Sequence, residues 1–224
     1  MKLCLTHIYS LKEKSMPVKY LYLILIISSS LMNAQVATFV PDNPEDIKPI
    51  LVGTQLPELL VKTPTGSNFD VTESVKEKPT ILIFFRGGWC PYCNAHLAKL
   101  QEIESELVKL GYQILAISPD KPELLRVPVE EHGLKYQLFS DSEMLASRAM
   151  GIAFKMKDDM VEKYKGYGID IETDSGYDHH LLPVPAAFVV GQDGTIKFSY
   201  VNPNYKIRID GDVLIAAAKS ALMK

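Results

Sequence analysis

The sequence has few cysteines, a single tryptophan and no excess of positive charge. Three cysteines leave no room for a framework of structural disulfides. Lysine and arginine total 24 against 27 aspartates and glutamates, and a formal net charge of −3 argues against nucleic acid as a partner. No glycine fingerprint for a nucleotide occurs, so we expect no flavin or nicotinamide cofactor. No apolar run reaches the roughly 20 residues that a membrane-spanning helix needs, so no permanent membrane anchor is expected.

The first 34 residues have the order of a secretory signal peptide. Lys12, Lys14 and Lys19 precede an apolar run over residues 20–27, and three serines and then Met32, Asn33 and Ala34 follow it. This order predicts export to the periplasm or the medium with cleavage after Ala34, although Met16 offers an alternative start. Cleavage would leave 20 basic and 26 acidic residues, a formal net charge of −6, and two cysteines, Cys90 and Cys93.

The rest of the chain predicts one domain over residues 51–224, preceded by an extended lead-in over residues 35–50. The patterns follow the order hairpin, strand, helix, strand, helix, strand, helix, two strands, helix. This order indicates an α/β fold with an N-terminal β-hairpin and a central mixed sheet covered by helices on both faces. The charged residues 152–182 do not fit this order, and we interpret them as an insertion with some helix.

Two patterns near the middle of the chain are the strongest. Residues 80–85 are β-branched or aromatic without polar alternation, which is typical of a central strand buried on both faces. From residue 94 to 110 the apolar positions recur every three or four residues, which predicts a long helix. Further along, Ser140 and Glu143 have the spacing of a capping box and predict another helix start.

Cys90 stands where the strand and two glycines end and the long helix begins. Unpaired backbone amides at a helix start stabilise a thiolate, which favours Cys90 as a nucleophile. Cys93 lies one turn further, close enough to close a disulfide with Cys90, and is the predicted resolving thiol. We expect Trp89 to cover the Cys90 sulfur, and Arg86 to add positive charge there unless its side chain points to solvent.

Two other interpretations of the cysteine pair stay open. The spacing is also typical of half a zinc site, for which His96, His179 and His180 are the available partners, and a metal-binding or redox-sensor protein is the alternative function. The second is a plain structural disulfide, although so short a loop would constrain little of the unfolded chain. We expect His96 on the exposed flank of the long helix. We expect His179 and His180 in a solvated loop and Arg208 as surface charge, with an approach to the active site as the alternative for each.

The motif WCPYC, residues 89–93, resembles the active site of the thioredoxin superfamily, and Val184, Pro185 and Ala186 resemble its cis-proline loop. Together with residues 85–93, 116–120, 182–186 and 201–205, the chain is similar to the peroxiredoxin-like branch of the alkyl hydroperoxide reductase and thiol-specific antioxidant family, over residues 51–220. The resemblance implies a thioredoxin-like fold with the insertion before the cis-proline loop. It also implies an active-site role for Pro185, an antioxidant or redox-homeostasis function, and an external thiol reductant such as a thioredoxin-like protein.

One position departs from that family. A standard peroxiredoxin has threonine or serine three residues before its peroxidatic cysteine, and Gly87 stands there. The glycine favours disulfide exchange on a protein substrate, whereas the family resemblance favours peroxide reduction. The sequence therefore predicts a thiol oxidoreductase and leaves both substrates open.

Overall fold

The computed structural model describes residues 40–223. The predicted signal peptide, Cys4 and the first residues of the lead-in lie outside this range. Between residues 40 and 223, no helix combines the length and the apolar character that crossing a bilayer requires.

The main element is a seven-stranded mixed sheet with the strand order β2-β1-β5-β4-β3-β8-β9, and a separate two-stranded sheet pairs β6 with β7. The strands are β1 Leu60–Lys62, β2 Asn68–Asp70, β3 Thr80–Phe84, β4 Gln113–Ser118, β5 Gln137–Ser140, β6 Ala153–Lys155, β7 Leu181–Pro183, β8 Ala186–Val190 and β9 Ile196–Val201. The helices are α1 Val71–Glu77, α2 Pro91–Lys109, α3 Arg126–His132, α4 Leu145–Ala149, α5 Asp158–Gly166, α6 Ile171–Ser175 and α7 Gly211–Ala221, with short 3₁₀ turns at Pro44–Asp46 and Pro122–Leu125. The predicted α/β fold with a mixed sheet and an N-terminal hairpin is confirmed.

Strand β3 lies at the centre of the sheet, between the parallel strand β4 and the antiparallel strand β8. All five of its residues are buried, and successive side chains point to opposite faces. Ile81 and Ile83 belong to the core beneath α2 and α7, whereas Leu82 and Phe84 belong to the core on the other face, with α1 and α4. Because both faces are covered, the strand is apolar after Thr80, and burial of each large apolar side chain contributes about 1.5–3 kcal/mol.

The insertion predicted over residues 152–182 contains β6, α5, α6 and β7. It has a small core of its own, centred on Met156, Val161, Ile171 and Leu182. Trp89 packs against this core, so the insertion contacts the segment that carries the cysteines.

The predicted cis proline is wrong, because no cis peptide bond precedes Pro185. The hydrogen bond from the Val184 amide to the Ile152 carbonyl, 2.8 Å, extends the β6–β7 pairing, so the chain passes from β7 into β8 without a tight turn. Pro185 is buried. Since Ala186 pairs with Phe84, Pro185 still lies beside the residues that follow β3.

The predicted capping box of Ser140 and Glu143 is also wrong. The buried Asp141 carboxylate instead accepts hydrogen bonds from the amides of Ala146, 2.9 Å, and Ser147, 2.8 Å, at the start of α4. A carboxylate is a stronger acceptor for helix-start amides than a hydroxyl, and it can reach two of them. Glu143 turns outward and pairs with a lysine of β1.

Ordered contacts begin before residue 51, within the predicted lead-in. The Pro41 carbonyl accepts a hydrogen bond from Lys155 at 2.8 Å, and the Ile50 amide donates to Met150 at 3.1 Å. Gly151 lies against this segment with φ +68°, where an added Cβ would overlap the carbonyl oxygen of Lys48. The segment therefore passes so close to Gly151 that no side chain fits between them.

Gly151→Ala is predicted to destabilise the protein more than Gly133→Ala. Both glycines have positive φ, and Gly133, with φ +59°, has open space around its Cβ position. The control should lose about 1–2 kcal/mol from backbone strain alone, and Gly151→Ala roughly 1 kcal/mol or more beyond that from the overlap. Urea unfolding measures the free energy of unfolding of both variants. Equal losses of stability would show that the segment before residue 51 does not restrict the side chain at position 151.

Candidate active site

The turn between β3 and α2 is fixed by neighbours on two sides. The Gly88 amide donates to Asp120 Oδ2 at 2.8 Å, and the Asn94 side chain donates to the Gly88 carbonyl at 2.8 Å. Gly87 has φ +142°, and an added Cβ would overlap the Trp89 indole and approach Asp120 Oδ1 to 2.8 Å. The indole thus occupies the space in which a side chain at position 87 would begin, so glycine is required there.

Cys90 is the N-cap residue of α2, as the sequence predicts. Its backbone is extended, with φ −90° and ψ 111°, and Pro91 is the first helical residue. The Cys90 carbonyl accepts hydrogen bonds from the amides of Cys93, 2.9 Å, and Asn94, 3.0 Å. Both cysteines are free thiols, and Cys90 is only 1% exposed.

The two thiols have opposite tendencies to ionise. A hydrogen bond from the Cys93 side chain is the main cause that lowers the pKa of Cys90 to about 6, and it outweighs the effect of burial. The Cys93 amide and the charges of Arg86 and Arg208 contribute to the same lowering. Burial, together with that same hydrogen bond, raises the pKa of Cys93. At neutral pH Cys90 is therefore the thiolate and Cys93 the thiol that donates to it.

Arg86 is buried and does not point to solvent. Its guanidinium carbon lies 4.3 Å from the ring centroid of Tyr205 and 5.3 Å from that of Trp89. Its Nη2 donates to the Tyr164 hydroxyl at 3.0 Å, and Tyr164 also contacts Trp89 edge to face, at 5.8 Å between ring centroids. Because Tyr164 belongs to α5, the insertion helps to hold the positive charge beside Cys90.

Arg208 is a part of the site, the less favoured of the two interpretations that the sequence left for it. Its Nη2 donates to Cys93 Sγ at 3.3 Å, and its Nη1 donates to the carbonyls of Tyr205 and Ile207. The expectation of plain surface charge is therefore wrong. The contact joins residues 115 positions apart, so no local sequence pattern predicts it.

Asp120 is a second residue that the sequence interpretation did not place in the site. Its carboxylate is buried below the turn and accepts hydrogen bonds from Gly88 and from the Ser118 hydroxyl at 2.9 Å. Its pKa is raised to about 7, mainly by burial and to a smaller extent by the nearby Asp174 and Cys93. A group that can hold or release a proton near neutral pH thus lies beneath the cysteine turn.

The histidines do not assemble a metal site with the cysteines. His96 is buried rather than exposed, and burial lowers its pKa to about 4, so the ring is neutral. His179 contacts a backbone carbonyl, while His180 is held between Asp158, 3.0 Å, and Glu172, 2.5 Å, instead of lying in a solvated loop. Across residues 40–223, no three His, Cys, Asp or Glu side chains are grouped to hold a metal ion, so the zinc interpretation has no support there.

Comparison with known proteins gives a consistent family signal. The profile described as the AhpC/TSA family matches residues 52–199, more than half of the chain. Peroxiredoxin Bcp of Escherichia coli is 26% identical over 106 residues, which cover 47% of this chain and 67% of that protein.

Solved structures show the same fold. Reduced Prx3 from Vibrio vulnificus in complex with H2O2 superposes with a TM-score of 0.62 at 17% identity, over 75% of this chain and 99% of that one. A peroxiredoxin-like protein from Aquifex aeolicus gives a TM-score of 0.62 at 16% identity, over 78% of this chain and 90% of that one. The predicted thioredoxin-like fold is confirmed.

The hydrogen bond between the cysteines predicts a difference between two substitutions of Cys93. Cys93→Ala removes the donor and should raise the pKa of Cys90 towards its ordinary value, whereas Cys93→Ser keeps a hydroxyl donor and should retain more of the depression. The pH dependence of iodoacetamide alkylation measures the pKa in each variant. Equal values in the two variants would show that the hydrogen bond is not the main cause.

Proposed function

The chain belongs to the AhpC/TSA family, and from this membership we propose that it is a thiol peroxidase with Cys90 as its peroxidatic cysteine and Cys93 as its resolving cysteine. The observation that carries the assignment is the position of Cys90 at the N-cap of α2 with Cys93 in the first turn, where the pKa of Cys90 is lowered and that of Cys93 is raised. This arrangement supports an antioxidant role that uses a redox pair.

The reaction follows from the two protonation states. The Cys90 thiolate attacks one peroxide oxygen and the O–O bond breaks, which leaves a Cys90 sulfenic acid and, after protonation, water or an alcohol. Cys93 then attacks the sulfenic sulfur, forming the disulfide and releasing water. An external dithiol, such as that of a thioredoxin-like protein, then reduces the Cys90–Cys93 disulfide to two thiols and is itself oxidised to a disulfide.

The surroundings of Cys90 suit a small oxidant. The thiol is almost fully covered, so a peroxide molecule needs less displacement of the protein than a protein disulfide would. Arg86 and Arg208 supply positive charge for the oxygen anion that develops as the O–O bond breaks. Gly87 contributes no hydroxyl, and this absence is the feature that favours thiol–disulfide exchange as the second candidate activity.

The roles of the two cysteines are predicted to be distinct. Cys90→Ser should abolish turnover because no thiolate remains at the helix start, while Cys93→Ser should complete the first attack and then stop for lack of a second thiol. Mass spectrometry after one equivalent of H2O2, with dimedone present, should find one dimedone adduct on Cys93→Ser and none on Cys90→Ser.

The trapped species also separates the two activities. Capture of partner proteins by Cys93→Ser, with no reaction towards peroxide, would overturn the peroxidase proposal in favour of disulfide exchange. An adduct on Cys90→Ser instead would reverse the two roles.

We also propose that residues 1–34 direct export, on the order of basic, apolar and small residues in that segment. Ile24→Arg places a charge inside the apolar run and should block cleavage, whereas Ile8→Arg lies outside the run and should leave it unchanged. N-terminal sequencing and cell fractionation check the outcome. A full-length wild-type chain found in the cytosol alone would contradict export.

A further inference from the structure

A cavity of about 310 Å³ lies beside the cysteine pair, between α2 and the loop that joins β9 to α7. Helix α2 contributes Tyr92, His96 and Lys99 to its lining, and the loop contributes Lys206 and Arg208. Its volume is at the lower end of the range for small-molecule sites, which is far more than an inorganic anion fills. The cavity is outside the reaction sequence described above, yet it shares Arg208 with the cysteine pair.

The lining carries uncompensated positive charge. Neither the Lys99 nor the Lys206 ammonium group has a carboxylate partner among residues 40–223, although the Lys206 ammonium lies 6.0 Å from the ring centroids of Tyr92 and Tyr205. One carboxylate, Asp210, also lines the cavity, but its Oδ1 accepts a hydrogen bond from the Asp212 amide at 2.9 Å and caps α7. The cavity therefore attracts an anion.

Two residues of the lining each have a buried nitrogen without the hydrogen-bond partner that such atoms normally have. His96 is only 7% exposed, and its Nε2 makes no hydrogen bond. Nε of Arg208 is likewise buried without a partner. Buried nitrogens of this kind are usually satisfied, and both of these belong to residues that line the cavity.

The remaining wall of the cavity is apolar. Leu100 and Ile209 line it, and the Tyr92 ring contributes a further nonpolar face. The ligand must therefore combine a negative head with a short carbon skeleton. A carboxylate fits the head, because its two oxygens can accept from a planar guanidinium and from a lysine at the same time.

We propose that this cavity binds a small organic carboxylate that reacts at the cysteine pair, an inference that rests on the proposed peroxidase function. Arg208 joins the two sites, because its Nη2 donates to Cys93 Sγ and the same residue lines the cavity. Two kinds of reactant can carry such a carboxylate, a hydroperoxide that oxidises Cys90 and a thiol that reduces the disulfide.

Direct binding is tested with benzoate as the probe and benzyl alcohol as its neutral counterpart, by isothermal titration of the reduced protein. The double variant Lys99→Gln, Lys206→Gln should bind benzoate about tenfold more weakly, because two favourable charges are lost. Lys109→Gln, on the exposed end of the same helix and outside the cavity, is the matched control and should bind as the wild type does. Absence of benzoate binding, or equal binding by the double variant and the control, would overturn the proposal.

Rates then identify the reactant. Cumene hydroperoxide is compared with its para-carboxylate in the oxidation of the dithiol, and 3-mercaptopropanol with 3-mercaptopropionate in the reduction of the disulfide. If the wild type reacts faster with the carboxylate hydroperoxide than with cumene hydroperoxide and the double variant does not, the cavity binds the oxidant. If the same difference appears between the two thiols in the reduction of the disulfide, the cavity binds the reductant. Equal rates within both pairs would contradict the proposal.

Oxidation by H2O2 distinguishes failure of the cavity proposal from failure of the proposed peroxidase function. H2O2 carries no carboxylate, so it should oxidise the double variant at the wild-type rate. If benzoate fails to bind while H2O2 still produces the disulfide, only the cavity proposal fails. If H2O2 leaves the wild-type dithiol unchanged, the peroxidase proposal fails.

Discussion

The hydrogen bond from Cys93 to Cys90 is the interaction on which the proposed chemistry depends, because it decides which sulfur carries the charge. The bond requires Cys90 at the N-cap of α2 with Cys93 in the first turn. That placement requires in turn a rigid strand before it and a turn that cannot relax. Strand β3 is held on both edges and both faces, and Asp120 and the Trp89 indole leave the two glycines little freedom. The buried core thus sets the ionisation of a single pair of thiols.

The central strand and helix could be predicted from the sequence because each has a hydrophobic pattern within a short run of consecutive residues. Strand β3 is covered on both faces, so its residues lack polar alternation, and α2 has a buried stripe that repeats with the helical period. Glycine, cysteine and proline follow one another where the strand ends and the helix begins, and this order is enough to place Cys90 at the helix start. The position of the proposed nucleophile is therefore encoded within about a dozen consecutive residues.

The groups that surround the thiols could not be predicted in this way. Arg208 reaches Cys93 from a loop 115 residues away, and Asp120 reaches the turn from the end of β4. His96 is buried because the β9–α7 loop and α7 cover a flank of α2 that helical period alone would leave exposed. No cis peptide bond precedes Pro185, and the strand before it, β7, pairs with β6, which lies far from it in the sequence. Each of these outcomes depends on tertiary packing between distant segments.

The most direct test of the account uses the single tryptophan of the chain, which lies next to Cys90 and 5.3 Å from the Arg86 guanidinium carbon. Stopped-flow fluorescence of the reduced protein mixed with H2O2 should show two phases. The rate of the first should rise linearly with peroxide concentration, as sulfenic acid forms on Cys90. The rate of the second should depend on neither peroxide nor protein concentration, as Cys93 closes the disulfide within one chain. A single peroxide-dependent phase, or a second phase that accelerates with protein concentration, would contradict an intramolecular Cys90–Cys93 pair.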